Sequence, residues 1–386
     1  MLHTVITLIM GLIFTSAHAT TFELEDADTR VVGHNLIVYS HREDTLLDIG
    51  RAFDVGYEEI VSANPDLDPW LPGENQRVIV PNRFILPDAP HEGIVINLAE
   101  MRLYYYPKPN KNERQKVITH PIGVGREGWT TPLGKTRIIQ RIKDPSWTPP
   151  ASIKAEHLEK GDPLPNVVPA GPNNPLGAFA MRLGMPGYLL HGTNKPFGVG
   201  MRVSHGCIRL FPEDIEHLFG IVAVNTPVEI LYQPDKAGLL DGELYLEAHD
   251  VQSDFDQRQG NNMTSMVTAI LKAQDSLLSD ADFPFAERIV RLHSGLARRV
   301  NQPEEAIVND VWFVHTGLTQ NAKLKLAEAS MRLNVNDSFW PLRRGAEGEI
   351  VLGPFDTQQQ ANERVIALKK VTDILAWTAL ISSDAL

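Results

Sequence analysis

The chain of 386 residues has a single cysteine, Cys207, and therefore no internal disulfide. It also lacks an excess of basic residues. Lys and Arg number 36 against 48 Asp and Glu, a formal net charge of −12. With no basic stripe, this balance argues against nucleic acid as a partner, since that binding is driven by cations neutralising phosphates. No apolar run beyond the first residues is long enough to span a bilayer. HExxH and CxxC motifs are missing, which removes the commonest zinc frameworks. The hydrophobic fraction of 43% and charged fraction of 22% are those of a globular protein, and the length predicts two or three domains.

Leu8 to Phe14 form a short apolar core, and Ala17-His18-Ala19 brings small residues to the expected cleavage positions. The start reads as a secretory signal over residues 1–19, cut after Ala19, although no Lys or Arg precedes the core. No lipobox cysteine follows it; the competing reading is an uncleaved anchor. An exported chain enters an oxidising compartment, where one unpaired thiol is a liability unless it does chemistry.

Between residues 36 and 81 the pattern is strand, helix, helix, strand. Leu36-Ile37-Val38-Tyr39 is strand-like. Asp44-Thr45 can cap a helix with Leu46, Ile49 and Phe53 on one face. A second helix carries Ile60 and Ala63 and stops at Asn64-Pro65. Leu71-Pro72-Gly73 turns the chain into the strand Arg77 to Pro81. In this order the pieces resemble a LysM module, which implies binding to peptidoglycan glycan; the plainer reading is a structural subdomain. Residues 91–232 are rich in β-formers, Gly and Pro, with a hairpin at Gly93 to Leu98 and Met101 to Tyr106. Later strands are expected at Lys116 to Thr119, Lys135 to Gln140, Leu189-Leu190 and Pro227 to Leu231, so this domain is mainly β. One helix opens at Pro212, with Glu213 and Asp214 on its first turn and Ile215, Leu218 and Phe219 facing inward.

Residues 233–309 read as one strand, with Leu244, Leu246 and Ala248 inward, followed by a helical connector. The segment 310–380 holds two strand–helix units. Ala322, Leu326, Ala329 and Leu333 line one helix, and Ala361, Val365 and Leu368 the other. The repeat resembles a SPOR-type α+β domain, which again implies binding to peptidoglycan; the alternatives are an unrelated cap or a protein-docking surface.

Cys207 lies in Ser204-His205-Gly206-Cys207-Ile208-Arg209-Leu210, downstream of His191-Gly192-Thr193. A thiol needs a base or a cation to act as a nucleophile near neutral pH. His191 ends an apolar run and sits at a strand tip. His205 is two residues from Cys207 and shares its side in an extended stretch. Gly206 allows a tight turn, and N–H groups at Gly206 and Cys207 can face an oxyanion. Arg209 offers a planar fork for a substrate carboxylate, and residues 193–203 form a loop over the site.

The two motifs together resemble the catalytic signature of L,D-transpeptidases of the YkuD type. The likeness extends through Pro121-Ile122-Gly123-Val124-Gly125, Thr131-Pro132-Leu133-Gly134 and Trp147-Thr148-Pro149-Pro150, and with the LysM-like module it points to the ErfK/YbiS branch. The resemblance implies a multidomain, mainly β protein with a β-sandwich-like catalytic domain. It implies Cys207 as nucleophile and His191 as general base, with the Gly192 carbonyl orienting the ring. Ser204, His205 and Gly206 would form the site, and Arg209, Thr193 and Trp147 would meet substrate. The implied reaction is periplasmic. The cysteine is acylated by a peptidoglycan tetrapeptide stem, D-Ala leaves, and the acyl group passes to an amine of another stem, as a 3-3 cross-link, or to an outer-membrane lipoprotein. No cofactor or metal is implied, and carbapenems acylate the same cysteine in this family.

Rival readings are an L,D-carboxypeptidase, a lipoprotein-detaching hydrolase, and a non-catalytic peptidoglycan-binding scaffold. Gly123-Val124-Gly125-Arg126-Glu127-Gly128 matches the dinucleotide fingerprint by letters, but Trp129-Thr130-Thr131-Pro132 follows where a helix would have to begin. His191, His205 and Cys207 could ligate zinc, with no fourth ligand to complete a structural site.

Overall fold

Eight strands between residues 93 and 231, rich in β-branched and aromatic residues, join strand Thr20–Glu23 in one sheet of nine. Their spatial order is Thr20–Glu23, Lys116–Pro121, Arg102–Tyr106, Gly93–Asn97, Pro227–Leu231, Gly134–Lys143, Phe179–Leu183, Leu189–His191 and Ile208–Arg209. This computed structural model describes residues 20–252, 254–255, 263–274, 278–279, 282–300, 310–335 and 337–382. The signal-like segment 1–19 and parts of the connector lie outside the described residues. The protein is mainly β, as expected, with eight helices among the described residues.

The ten-residue strand Gly134–Lys143 belongs to both halves of the sheet. Its first residues pair with Pro227–Leu231 and its later ones with Phe179–Leu183, with a register shift between Ile138 and Gln140. An irregularity of this kind bends a strand and strengthens its twist, turning the second half of the sheet around the core. Ile94, Ile96, Leu103, Leu190, Ile208 and Leu210 fill that core. Helix Pro212–Ile221 closes it with Ile215 and Leu218, and Phe219 packs at the margin. The sequence reading missed helix Ala151–Glu159. Only Ile153 is buried on it, so it carries no apolar stripe to read.

The segment 36–81 adopts the expected strand–helix–helix–strand order. Thr45 caps helix Leu46–Ala52 by accepting from the Asp48 N–H, and Leu46, Ile49 and Phe53 are fully buried. After helix Tyr57–Ala63, the Asn64 amide bonds the carbonyls of Ile60 (2.8 Å) and Ile79 (2.7 Å). It thereby ties the helix end to strand Arg77–Val80. Strand Leu36–Tyr39 has two neighbours. One is Arg77–Val80; the other is the C-terminal strand Trp377–Ser382. The two ends of the chain thus share a six-stranded sheet, ordered Phe339–Pro341, Ile350–Phe355, Asp310–His315, Trp377–Ser382, Leu36–Tyr39, Arg77–Val80. Helices Ala322–Leu333 and Gln358–Val371 cover its C-terminal half through Leu326, Ala361, Val365 and Leu368.

In the connector, Asp235–Leu240 and Glu243–Ala248 form a hairpin, where the sequence pattern indicated only the second strand. Glu247 and His249 alternate with the apolar residues yet are buried. Lys236 Nζ lies 2.7 Å from Glu100 Oε2 and 2.8 Å from Glu247 Oε1, and His249 lies 2.7 Å from Glu247, so the charges are buried as a network. Helices Thr264–Gln274 and Phe283–Leu292 pack on this hairpin.

Candidate active site

The parallel pairing of Leu189–His191 with Ile208–Arg209 creates the site. Leu190 faces Ile208 and His191 faces Arg209, so Cys207 enters its strand beside Leu189. Parallel neighbours need a long crossover, and the residues between the two motifs provide it. This crossover includes the one-turn helix Pro196–Gly198 and strand Arg202–Ser204, which pairs with Val124–Gly125. Its middle is held against the 36–81 segment: the N–H groups of Tyr57 and Glu58 donate to the carbonyls of Val199 (3.3 Å) and Gly200 (3.1 Å).

His191 is buried, with Nδ1 2.6 Å from the Gly192 carbonyl oxygen. A carbonyl only accepts, so in the neutral ring Nδ1 carries the proton and Nε2 keeps its lone pair. Burial, and then the Arg209 charge, lower the imidazole to about 4. The Cys207 thiol is half-buried and donates to the Gly187 carbonyl at 3.6 Å. Burial pushes it above its ordinary value, against the opposing pull of a backbone hydrogen bond and of Arg209. The resting pair is therefore a neutral thiol and a neutral imidazole near pH 7.

Gly206 has φ +100°, and a Cβ there would come within 2.9 Å of Tyr188 Cε1. Ser204 Oγ donates to the Cys207 carbonyl (2.6 Å) and accepts from the Gly206 N–H (3.1 Å). Thr131 Oγ1, also buried, donates to the Gly206 carbonyl at 2.8 Å. The nucleophile turn is thus held from both sides. The Gly206 N–H, one of the two expected oxyanion donors, donates to Ser204 in this structure. His205 departs from the simple alternation. The turn at Gly206 ends the extended stretch, and His205 Nε2 lies 2.8 Å from Glu156 Oε2 and 3.1 Å from Arg126 Nη2. Its ring meets Trp129 edge-on at 4.8 Å. Arg126, Lys160 and His205 hold the Glu156 carboxyl well below the usual range.

Arg209 is anchored through its backbone to Gly123, by N–H···O contacts of 2.8 and 2.9 Å. Its guanidinium Nε is buried without a hydrogen-bond partner, an unmet donor beside the reactive pair. Thr193 is buried, and its hydroxyl accepts from the Lys195 N–H at 2.9 Å within the loop. Trp147 is half-buried and exchanges backbone hydrogen bonds with Val168; among the described residues no ring contact or hydrogen bond joins it to the cysteine motif. The sequence reading missed Arg126, Trp129, Glu156 and Tyr188 as wall residues. The Gly123–Gly128 run was their one signal. A Cβ on Gly125 would sit 2.0 Å from the Trp129 carbonyl oxygen and one on Gly123 2.6 Å from the Gly198 carbonyl oxygen, so these two glycines serve close backbone approach, while Gly128 turns the chain at φ +76° in open space.

His191, His205 and Cys207 are not gathered as a metal site. Among the described residues the groups with metal-capable atoms close together are Asp54, His120, Asp214 and Glu100, Glu247, His249. The second already surrounds the Lys236 ammonium.

A histidine ending one strand and a cysteine just ahead of the parallel strand beside it, with a buttressed turn and the half-buried Arg209, suit a cysteine acyltransferase. Residues 91–230 match the family model of the L,D-transpeptidase (YkuD) catalytic domain. The chain is 40% identical to "Probable L,D-transpeptidase YbiS" of Escherichia coli K12 over 74% of its own length and 94% of that protein. Two further proteins of that strain are similar. "Probable L,D-transpeptidase YcfS" is 44% identical over 58% of this chain and 73% of its own length. "Probable L,D-transpeptidase ErfK/SrfK" is 41% identical, with 60% and 74% covered. The chain belongs to the L,D-transpeptidase family.

Proposed function

We propose that this enzyme is exported to the periplasm, cut after Ala19, and acts on peptidoglycan tetrapeptide stems through Cys207. The observation that carries the reading is the parallel pairing that sets His191 opposite Arg209, two residues after Cys207, with the Arg209 Nε donor unmet. A stem carboxylate meets the Arg209 guanidinium. Cys207 Sγ attacks the carbonyl at the L-centre of diaminopimelate, and its proton passes to His191 Nε2. The Cys207 N–H faces the oxyanion, since the neighbouring Gly206 N–H is spent. Collapse breaks the peptide bond, D-Ala leaves with the proton from Nε2, and a thioester remains. An acceptor amine then attacks the thioester, gives its proton to His191, and the thiolate leaves and is reprotonated.

The amine belongs to a second stem, giving a 3-3 cross-link, or to a lipoprotein lysine; water as acceptor would make the enzyme a carboxypeptidase or a detaching hydrolase. Segments 36–81 and 310–380, joined in one sheet, hold the enzyme on the wall. Intact-protein mass spectrometry with a carbapenem is expected to give one adduct on the parent and none on Cys207→Ala; an adduct on that variant would refute the nucleophile. Analysis of digested sacculi separates the acceptors: 3-3 dimers identify transpeptidation, and trimmed tripeptides alone identify hydrolysis. Sacculus pull-down with Cys207→Ala measures wall binding apart from chemistry.

A further inference from the structure

Away from the catalytic pair, Asp54, His120 and Asp214 meet in a fully buried cluster. Asp54 follows helix Leu46–Ala52, His120 lies on strand Lys116–Pro121, and Asp214 is on the first turn of the helix that follows the cysteine motif. His120 Nδ1 is 3.3 Å from Asp214 Oδ1 and 3.7 Å from Asp54 Oδ2. Asp54 Oδ1, both Asp214 carboxylate oxygens and both His120 ring nitrogens lack hydrogen-bond partners. Buried acceptors left this way cost folding free energy, so a missing donor is expected.

The nearby cations are committed elsewhere. Arg102 forks onto Glu59 at 2.7 and 3.0 Å and onto the Asp54 carbonyl at 2.8 Å. Arg51 forks onto Glu213 at 2.8 and 2.9 Å. After these pairings the Asp54 and Asp214 carboxyls, both pushed well above the ordinary range by burial and then by neighbouring acids, remain on either side of His120, whose ring meets His217 edge-on at 6.1 Å.

The residue whose donors reach a carboxyl of this cluster is Thr20. Its N–H donates to Asp54 Oδ2 at 3.2 Å and its hydroxyl donates to the same oxygen at 2.9 Å. Strand Thr20–Glu23 begins there and pairs Thr20 with Thr119, one residue from His120. We infer that the Asp54–His120–Asp214 cluster is the binding site for the α-ammonium group of Thr20, created when the chain is cut between Ala19 and Thr20. This rests on the export reading of residues 1–19 given above.

Cleavage turns an amide with one N–H into an ammonium with three and a full positive charge. It supplies both things the cluster lacks, a cation and additional donors. A buried carboxylate is stable when paired and hydrogen-bonded in this way. A divalent metal would have to share Asp54 Oδ2 with two donors already aimed at it. The processed terminus would then join the 36–81 segment, through Asp54, to the helix behind the catalytic turn, through Asp214. Removal of the signal would complete the junction between these two parts.

Two forms of the whole enzyme test this: residues 20–386 with a free Thr20, and the same chain with Gly-Ser ahead of Thr20. Thermal melting and reductive methylation of the terminal amine are followed with EDTA present. An amine whose pKa rises by one unit is unprotonated about tenfold less often. The Thr20 amine is therefore expected to methylate at least about tenfold more slowly than the terminal glycine of the extended form. The free form should also melt several degrees higher, and Asp54→Asn should erase that difference. Equal melting temperatures with equal amine reactivity would overturn the site. So would a stoichiometric metal that survives EDTA and is lost in Asp54→Asn. Sequencing the N-terminus of the exported protein tests the underlying reading separately: a start other than Thr20 overturns the cut and with it this occupant, whereas a Thr20 start with equal behaviour of the two forms overturns the site alone.

Discussion

At the scale of single residues, burial sets the resting state of the reactive pair. It pushes the Cys207 thiol up and the His191 imidazole down, so both are neutral near pH 7. His191 is then in its basic form over a wide range. The acid limb of the acylation rate is expected near pH 4, not near the ordinary histidine value of about 6.5. Arg209→Met removes the second cause of that lowering. Its limb should move upward but stop short of the ordinary value, because burial is the larger cause; stopped-flow acylation against pH reads this, and an unmoved limb would show that Arg209 does not act on His191. The same group affects folding. Between about pH 4 and 6.5 the unfolded chain binds a proton at His191 that the folded chain does not, so stability falls as pH falls, by up to about 3 kcal/mol.

At the scale of elements, the nucleophile turn depends on a strand and a loop distant in sequence. The turn at Gly206, the strand tip at His191 and the helix at Pro212 are legible from residue type and spacing. The Thr131 contact is not, because nothing in residues 131–134 announces that their partner is the Gly206 carbonyl. Thr131→Val keeps the shape and removes that hydrogen bond. It is expected to destabilise the fold by about 1–2 kcal/mol and to slow acylation with the thiol still titratable by a disulfide reagent. Unchanged acylation would mean that Ser204 alone holds the turn. The burial of Glu247 was equally hidden: its cation, Lys236, lies on a strand that the sequence pattern did not reveal.

At the scale of the whole molecule, the two ends of the chain complete each other. Trp377 is buried against Phe53 at 5.5 Å between ring centroids, and its Nε1 donates to Asp44 Oδ2 at 2.8 Å. Trp377→Ala is expected to cost about 3–5 kcal/mol. Hydrogen exchange should show strand Leu36–Tyr39 losing protection together with Trp377–Ser382. Exchange confined to the C-terminal strands would instead mark two independent units. Among the described residues no helix is long and apolar enough to cross a membrane.

Local chemistry determined much of this protein from sequence alone. The lone thiol between a histidine and an arginine, the glycine that turns tightly, and the capped helices of the 36–81 segment all depend on neighbours in the chain. Contacts between distant segments were decided only by the tertiary structure. Strand Leu36–Tyr39 found its second partner about 340 residues away, and Asp54, His120 and Asp214 came together from three separate elements. Hydrogen bonding along a strand edge and charge compensation in a buried cluster depend on position in space, and residue order does not encode that directly.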